Sequence, residues 1–533
     1  IFENLSWEIH DDRVVGLVGP NGCGKSTLLK LIAAELASDT GFTVRKKELA
    51  IGYLHQDPQL EPGRSVWQEA VAASTELVRV EKELARVEDQ LADPAVYGNE
   101  KALTRALNRQ ARLLDEYEQL GGLTYESRVR STLHSLGFSK GDFDLPVDVL
   151  SSGQKKLAGL AKLLVTHPDL LLLDEPDNHL DLEGKAFLEQ FINSYNGAII
   201  IVSHDRYLLD QVVDEIVEME DGQLSFYPGT YSEYTIEKQL RLLRQQQRYD
   251  AQQKEIARIK AAIARFEEWA RRVVNERHAR QARSRKKMLE RMDKIEKPTL
   301  ERRRMGLELD GWRGSNKVLE IVDLDKAFLS KTGDDEAVIL AGLDLLVWRG
   351  ERVGLVGPNA AGKSLLYRLI LGQDMPSGGE IKIGPSVKVS YYAQEHETLD
   401  YDRTLIDTVR HAAKLSENGA VSFLGRFLFT YEQAQGLVGN LSGGERSRLQ
   451  MALMMLSDAN FLLLDEPTNN LDIQSAEVLE EALADFEGTV LVISHDRYFL
   501  DRVVDRIVEL DEGALTEYIG GYSDYQAAKA KKT

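Results

Sequence analysis

Two short stretches carry the first chemistry, GPNGCGKST (Gly19 to Thr27) and GPNAAGKSL (Gly357 to Leu365). Both satisfy G-x-x-x-x-G-K-[ST], a loop whose backbone N–H groups point inward at phosphate oxygens. Gly19, Asn21, Gly22 and Gly24 shape the first loop, Lys25 reaches the β- and γ-phosphates, Ser26 ligates Mg²⁺ and Thr27 follows it. Gly357, Asn359, Gly362, Lys363 and Ser364 repeat the set. Two apolar runs, LLLLDEP (Leu170 to Pro176) and FLLLDEP (Phe461 to Pro467), end in paired acids. Asp174 and Asp465 are placed to stand beside the metal, and Glu175 and Glu466 to polarise an attacking water. His204 and His495, each in an SHDRY segment, are candidates to report on a γ-phosphate. Gln56 and Gln394, closing YLHQ and YYAQ, are candidates to sense metal or water. The chemistry these residues describe is hydrolysis of a nucleoside triphosphate at two sites.

Such loops need a strand behind them and a helix ahead. Apolar runs at Val14–Val18 and Val353–Val356 precede the loops, and helix-like segments at Leu28–Ala34 and Leu366–Leu371 follow. The two halves align throughout. Gly16 and Gln56 match Gly354 and Gln394 at an offset of 338, whereas Gly153, Asp174 and His204 match Gly444, Asp465 and His495 at 291. The chain is a tandem duplication, with 338 − 291 = 47 extra residues in the first copy between Gln56 and Gly153. Ile1 falls opposite Ile339 while the second copy begins near Val318, so the register puts about 20 residues of the first copy ahead of Ile1.

At 533 residues, two or three domains are expected. No apolar run approaches the roughly 18 residues of a membrane span. One cysteine excludes a disulfide framework and fits a reducing, cytoplasmic setting. A net charge of −20 excludes a surface devoted to nucleic acid, though not a local basic patch.

The extra residues form an expected helical hairpin, an arm spanning about 68–140. Leu77, Val80, Leu84, Val87 and Leu91 make one stripe, and Leu103, Leu107, Leu114 and Tyr117 the return. Between the copies lies a basic stretch. Glu237 to Arg304 holds 22 Lys and Arg against 10 Asp and Glu. Ile256, Ile259, Ile263 and Phe266 give a heptad-like stripe, with Met288, Met292 and Ile295 returning. The densest charge falls at the turn: Arg271, Arg272, Arg277, Arg280, Arg283, Arg285, Lys286 and Lys287. A basic tip on an acidic body suits a phosphate backbone.

SSGQ (Ser151 to Gln154) and LSGGE (Leu441 to Glu445) precede the two acid pairs. With these the chain resembles the ATP-binding cassette superfamily, and its two fused cassettes, arm and basic linker resemble the ABC-F subfamily. The resemblance implies an α/β fold of two P-loop cassettes in tandem, residues 1–234 and 317–533, joined by a basic helical-hairpin linker at 235–316. It implies ATP and Mg²⁺ as cofactors, and a monomer whose cassettes pair head to tail. Each ATP would then lie between one phosphate loop and the opposite signature. Site one combines the first loop, Gln56, Asp174, Glu175 and His204 with Ser442, Gly443, Gly444 and Glu445. Site two combines the second loop, Gln394, Asp465, Glu466 and His495 with Ser151, Gly153 and Gln154, and Phe328 stacks on adenine. Leu180-Asp181 and Leu471-Asp472 are the family's D-loops. Members bind the ribosome near its tRNA exit site, with the linker toward P-site tRNA, so rRNA and tRNA backbone are the implied partners.

The departures from the family pattern fall mainly on site two. Ser152 stands for a signature glycine, Leu365 for a loop threonine and Ala360 for a loop glycine, costly if that backbone needs positive φ. Asp177, where the family has threonine, falls on site one, and Asn470 in the second copy stands for the usual histidine. Unequal sites are expected. A transporter ATPase subunit or a DNA-repair ATPase is the alternative, disfavoured by the basic spacer, the single cysteine and the modest insertion.

Overall fold

Runs of apolar residues uninterrupted by polar ones specify strands buried on both faces. A computed structural model shows where they go. It describes every residue except Ile1, Asn4, Glu48, Gly98, 273–275, 293–304, 310–313, 330–335, 394–398 and Thr533. The first half runs β1 (Val14–Val18), α1 (Lys25–Ala33), β2 (Ile51–Leu54), α2 (Thr75–Ala92), α3 (Glu100–Gln119), α4 (Ser152–Leu164), β3 (Leu170–Asp174), α5 (Leu182–Ser194), β4 (Ala198–Val202), β5 (Glu215–Glu220) and β6 (Gln223–Pro228), with short helices between. Its six-stranded sheet has the order β2-β3-β4-β1-β5-β6. Strands β1 to β5 pair in parallel and β6 turns back antiparallel on β5. Leu28 and Leu29 of α1 cover one face of the sheet; Leu157 and Leu160 of α4 and Leu188 and Ile192 of α5 cover the other.

Two long helices, α6 (Tyr231–Arg272) and α7 (Glu276–Glu290), join the halves and pack on each other. The root of α6 is fixed by buried Glu218 of β5, which accepts from the Tyr234 hydroxyl at 2.8 Å and pairs with Lys238. The second half repeats the first. Its strands are β7 (Lys317–Leu329), β8 (Glu336–Trp348), β9 (Arg352–Val356), β10 (Gly378–Ile383), β11 (Val389–Tyr392), β12 (Phe461–Asp465), β13 (Thr489–Ile493), β14 (Arg506–Asp511) and β15 (Ala514–Ile519). The helices used below are α8 (Lys363–Ile370), α9 (Gly443–Leu456) and α10 (Ile473–Asp485). The sheet order β11-β12-β13-β9-β14-β15 is that of the first half shifted along the chain. Among the described residues the second half also forms an antiparallel sheet, β10-β7-β8. The α/β class and the tandem arrangement are those expected.

Both hairpins depart from expectation in the same way. In the arm, α2 and α3 pack through Val80 and Val87, while Leu77 joins the core of the cassette, and buried Ala106 and Leu113 lie on the return. Leu107 and Leu114 are 48% and 49% exposed, each one residue out of phase, whereas Tyr117 packs on the arm's core and Leu103 is half-buried, as expected. Arg79–Glu116 and Arg109–Glu83 ion pairs close the arm's edges. In the linker, Ile256, Ile259 and Ile263 are buried as expected, and Met292 is half-buried, but Met288 is exposed beside a half-buried Leu289. Ile295 lies outside the described residues.

The loop backbone is the same in both halves although the sequence is not. Gly19 and Gly357 turn sharply from strand to loop, and a Cβ on either would strike the Met219 or Leu510 carbonyl. Gly22 has φ 79°, and its partner Ala360 keeps φ 64°, a conformation L-residues resist by about 1–2 kcal/mol. Ala360→Gly is therefore expected to stabilise the second cassette by about 1 kcal/mol, raising its thermal midpoint by about 2–4 °C in calorimetry. Gly22→Ala should lower the first by a similar amount.

Candidate active sites

Each acid pair sits where a central strand ends. Asp174 closes β3 and Asp465 closes β12, and the following Glu175 and Glu466 take φ 51° and 49°. Their N–H groups bond to the Val202 and Ile493 carbonyls of the neighbouring strand, so the chain bends toward the phosphate loop. Strained backbone of this kind persists only where its surroundings hold it.

In the first half Glu175 is gripped from several sides. Its carboxylate accepts from Gln56 Nε2 at 2.9 Å and Asn178 Nδ2 at 2.7 Å, and lies 3.5 Å from His204 Nε2. Lys156 donates to its carbonyl at 2.6 Å. Burial would raise this carboxyl, but His204, Lys156 and Lys25 outweigh it and hold it below the usual range. Burial raises Asp174, opposed by the hydroxyls of Ser26 and Tyr53, the latter donating at 3.1 Å. Asp174 Oδ1 is buried without a hydrogen-bond partner. A carboxylate oxygen of that kind beside the Ser26 hydroxyl suits a small hard cation that keeps most of its own waters. Lys25 and Lys363 are both buried against their loops, donating to the Gly19 and Gly357 carbonyls at 2.8 and 2.6 Å.

The second half builds the same frame with fewer charges. Glu466 lies 3.5 Å from His495 Nε2 and accepts from the His495 N–H at 3.3 Å. The position matching Lys156 is Ser447. Burial, reinforced by Asp465, pushes the Glu466 carboxyl up to about 8, and burial with Lys363 and Lys185 drives His495 well below its ordinary value. Gln394 lies outside the described residues. A cavity of about 410 Å³ opens beside this loop, lined by Lys363, Ser364, Glu466, His495 and Phe328, and by His179 from the first half.

The halves meet head to tail across both loops. The Asn21 N–H donates to Asp472 Oδ2 at 3.3 Å, and Asn21 Nδ2 to the Asn470 carbonyl at 3.2 Å. Asn359 does the same to Asp181 Oδ2 at 3.0 Å and the His179 carbonyl at 3.3 Å. Gly444 abuts Asn21 so closely that a Cβ would come within 3.1 Å of Nδ2. Gly153 packs on the same His179 carbonyl that Asn359 contacts. Ser442 and Ser151 cap α9 and α4, turning both helix N-termini toward the interface. Glu445 and Gln154 spend their side chains closing those caps, a local task that Ser-x-x-Gln and Ser-x-x-Glu spell in the sequence.

Sequence reasoning also passed over the arginines of SHDRY. Arg206 is buried, pairs with buried Glu480 of the other half and lies 4.0 Å from the Tyr498 ring. Arg497 mirrors it with Glu189 and Tyr207, the ring at 4.2 Å. The signal was present, since an identical cation recurs at the 291 offset. In the linker, Arg280, Arg283, Arg285, Lys286 and Lys287 of α7 are exposed. Of these, Arg285 lies over Phe266 at 5.0 Å and Lys286 pairs with Glu267 at 2.6 Å. The side chains of Arg271, Arg272 and Arg277 lie outside the described residues.

Comparison with known proteins agrees with this arrangement. Two family models, both described as ABC transporter, match residues 2–178 with 340–469, and residues 217–308. The Bacillus subtilis protein YdiF is 39% identical over all of this chain and 81% of its own length. EttA of Escherichia coli K12, an energy-dependent translational throttle protein, is 34% identical over all of this chain and 93% of its own. ABC transporter F family member 5 of Arabidopsis thaliana is 34% identical over 98% of this chain and 75% of its own. Among solved structures, an archaeal ribosome recycling factor, aABCE1, shares the fold with a TM-score of 0.59 at 19% identity. That match covers 99% of this chain and 90% of the other.

The unequal carboxyls predict unequal pH profiles. A carboxyl raised to about 8 is protonated at neutrality and becomes able to polarise water only as pH rises through that value; one held low is ionised throughout. Glu175→Gln, which leaves site two working, should turn over ATP several-fold faster at pH 9 than at pH 7. Glu466→Gln, which leaves site one, should be nearly flat over the same range. Superimposable profiles would refute the inequality.

Proposed function

We propose that this chain, which belongs to the ABC-F subfamily of ATP-binding cassette ATPases, is a ribosome-associated ATPase that modulates translation through closure of its two cassettes. It binds and hydrolyses ATP. One observation supports the rest of the reading best. Both composite sites are completed within a single chain, and that chain joins its cassettes by a basic helical hairpin. Closure on ATP therefore has a second object, the hairpin, and its exposed cations suit a phosphate backbone. The likeness to a translational throttle protein along the whole chain supports translation as the process.

At each site the phosphate loop binds and orients the triphosphate, and the opposite signature closes over it. In site one Ser26 and Asp174 would hold Mg²⁺, with Gln56 near it; in site two Ser364 and Asp465, with Gln394. The metal supplies charge neutralisation on the phosphates. Glu175 and Glu466 accept a proton from the in-line water, while His204 and His495 steady the γ-phosphate end. Phe328, 42% exposed on the cavity wall, offers a face for adenine in site two.

The linker cations Arg271, Arg272, Arg277, Arg280, Arg283, Arg285, Lys286 and Lys287 contact rRNA and tRNA backbone, from a position at the exit site with the hairpin toward P-site tRNA. The arm of α2 and α3 adds a second contact. The protein acts as a cytoplasmic monomer. Two catalytic glutamates changed to glutamine should lock the cassettes closed on ATP. The Glu175→Gln, Glu466→Gln variant is expected to sediment with purified ribosomes only when ATP is present. Adding Arg271→Glu, Arg272→Glu, Arg277→Glu and Arg280→Glu should weaken that binding by at least about tenfold and flatten its salt dependence. Failure to sediment at moderate salt would overturn the ribosomal reading.

A further inference from the structure

Helix α5 of the first cassette makes two crossings to the second, one turn apart. Its N-cap residue Asp181 accepts from the Asn359 N–H at 3.0 Å, which fixes the phosphate loop of site two. Four residues later Lys185 donates from Nζ to the His495 carbonyl at 2.8 Å and to Asp205 Oδ2, also at 2.8 Å. Residues four apart share one helix face, so a single turn bridges two separate walls of the same site.

The pseudo-symmetric turn at site one makes only one of these crossings. Asp472 holds Asn21 as Asp181 holds Asn359, but the mate of Lys185 is Ala476 and the mate of Asp177 is Thr468. Two departures from symmetry thus come as a charge-balanced pair, one new cation with one new anion beside it. Lys185 is 8% exposed. Burial opposes its charge, yet Asp205, Asp177 and Asp496 outweigh that and keep it protonated. Asp496 and the His495 carbonyl belong to the second cassette. If the cassettes part, the ammonium keeps Asp205 and Asp177 but loses these two, so the crossing exists only in the closed arrangement.

We infer that Lys185 is a positioning residue for site two. It is a buried ammonium latch by which the first cassette holds the His495 segment against the nucleotide, and Ala476 at the matching position of site one cannot form it. Lys185 acts through the His495 backbone and touches no reacting atom. The inference rests on the reading of both sites as ATPase sites.

Lys185→Ala alone would leave Asp177 and Asp205 facing each other in the interior. The informative variant is Asp177→Thr with Lys185→Ala, which copies Thr468 and Ala476 and stays neutral. It is placed in two backgrounds, Glu466→Gln, which traps ATP at site two, and Glu175→Gln, which traps it at site one. Loss of radiolabelled ATP is followed by filter binding after a chase. In the Glu466→Gln background the double change should speed loss about tenfold, the scale of one charge-assisted hydrogen bond. In the Glu175→Gln background it should alter loss by less than roughly twofold, because a general weakening of the fold would move both. Equal acceleration in the two backgrounds, or none in either, overturns the latch. Absence of trapped ATP in both parents overturns the ATPase reading and the latch with it.

Discussion

Everything at the interface depends on charges that cannot be left half-paired. Arg206 and Arg497 each leave their own cassette to meet a glutamate of the other, with a tyrosine ring against the guanidinium. Glu480 is fully buried and also takes Arg502 of its own cassette at 2.9 Å, so losing Arg206 leaves a buried carboxylate with half of its pairing. Such pairs do little as glue compared with apolar surface. They admit one docking geometry and exclude its neighbours, and that geometry brings each signature helix to the opposite phosphate loop. The arginine follows the histidine of the site by only two residues. Chemistry and docking therefore hang on the same pentapeptide, and neither moves without the other.

The backbone is nearly two-fold symmetric while the chemistry is not. Ala360 holds the conformation of Gly22 against its own preference, and Asn470 at φ 64° copies His179 at φ 65°. The shape of the site is kept and its charges are edited. Lys156, Asp177 and Lys185 in the first copy face Ser447, Thr468 and Ala476 in the second. His204, Lys156 and Lys25 hold Glu175 low, whereas Glu466, with Ser447 at the position of Lys156, is raised by burial and Asp465. A low dielectric makes such economy possible, since one ammonium there counts for more than several at the surface.

The site was legible because it was written twice. A lone histidine or glutamine says little, but the paired order of loop, acid pair, signature and SHDRY at recurring offsets gives each residue a candidate role before any coordinate. What stayed hidden was phase and partner choice. Leu107 and Leu114 form as good a stripe as Ala106 and Leu113, and only the turn between α2 and α3 decides which row faces inward. Larger side chains were the natural choice, and the close helix packing favoured alanine instead. Gln154 and Glu445 looked like ligands because they sit in the signature, whereas a helix N-terminus has a prior claim on them. Lys185 carried no motif at all. Its only sign was a lysine opposite an alanine in the other copy.

The root of α6 gives the molecule a mechanical property. Its 42 residues form one helix, about 63 Å from end to end. Glu218, Tyr234 and Lys238 clamp the near end to the sheet that carries the first phosphate loop. A rod fixed in this way multiplies small angles: a tilt of ten degrees at the clamp sweeps the far end through about 11 Å, several times the width of a hydrogen bond. A small rotation of that sheet would thereby be enlarged along the helix into a displacement on the scale of a nucleotide. The long helix is the gearing of the machine, and its stiffness sets the ratio.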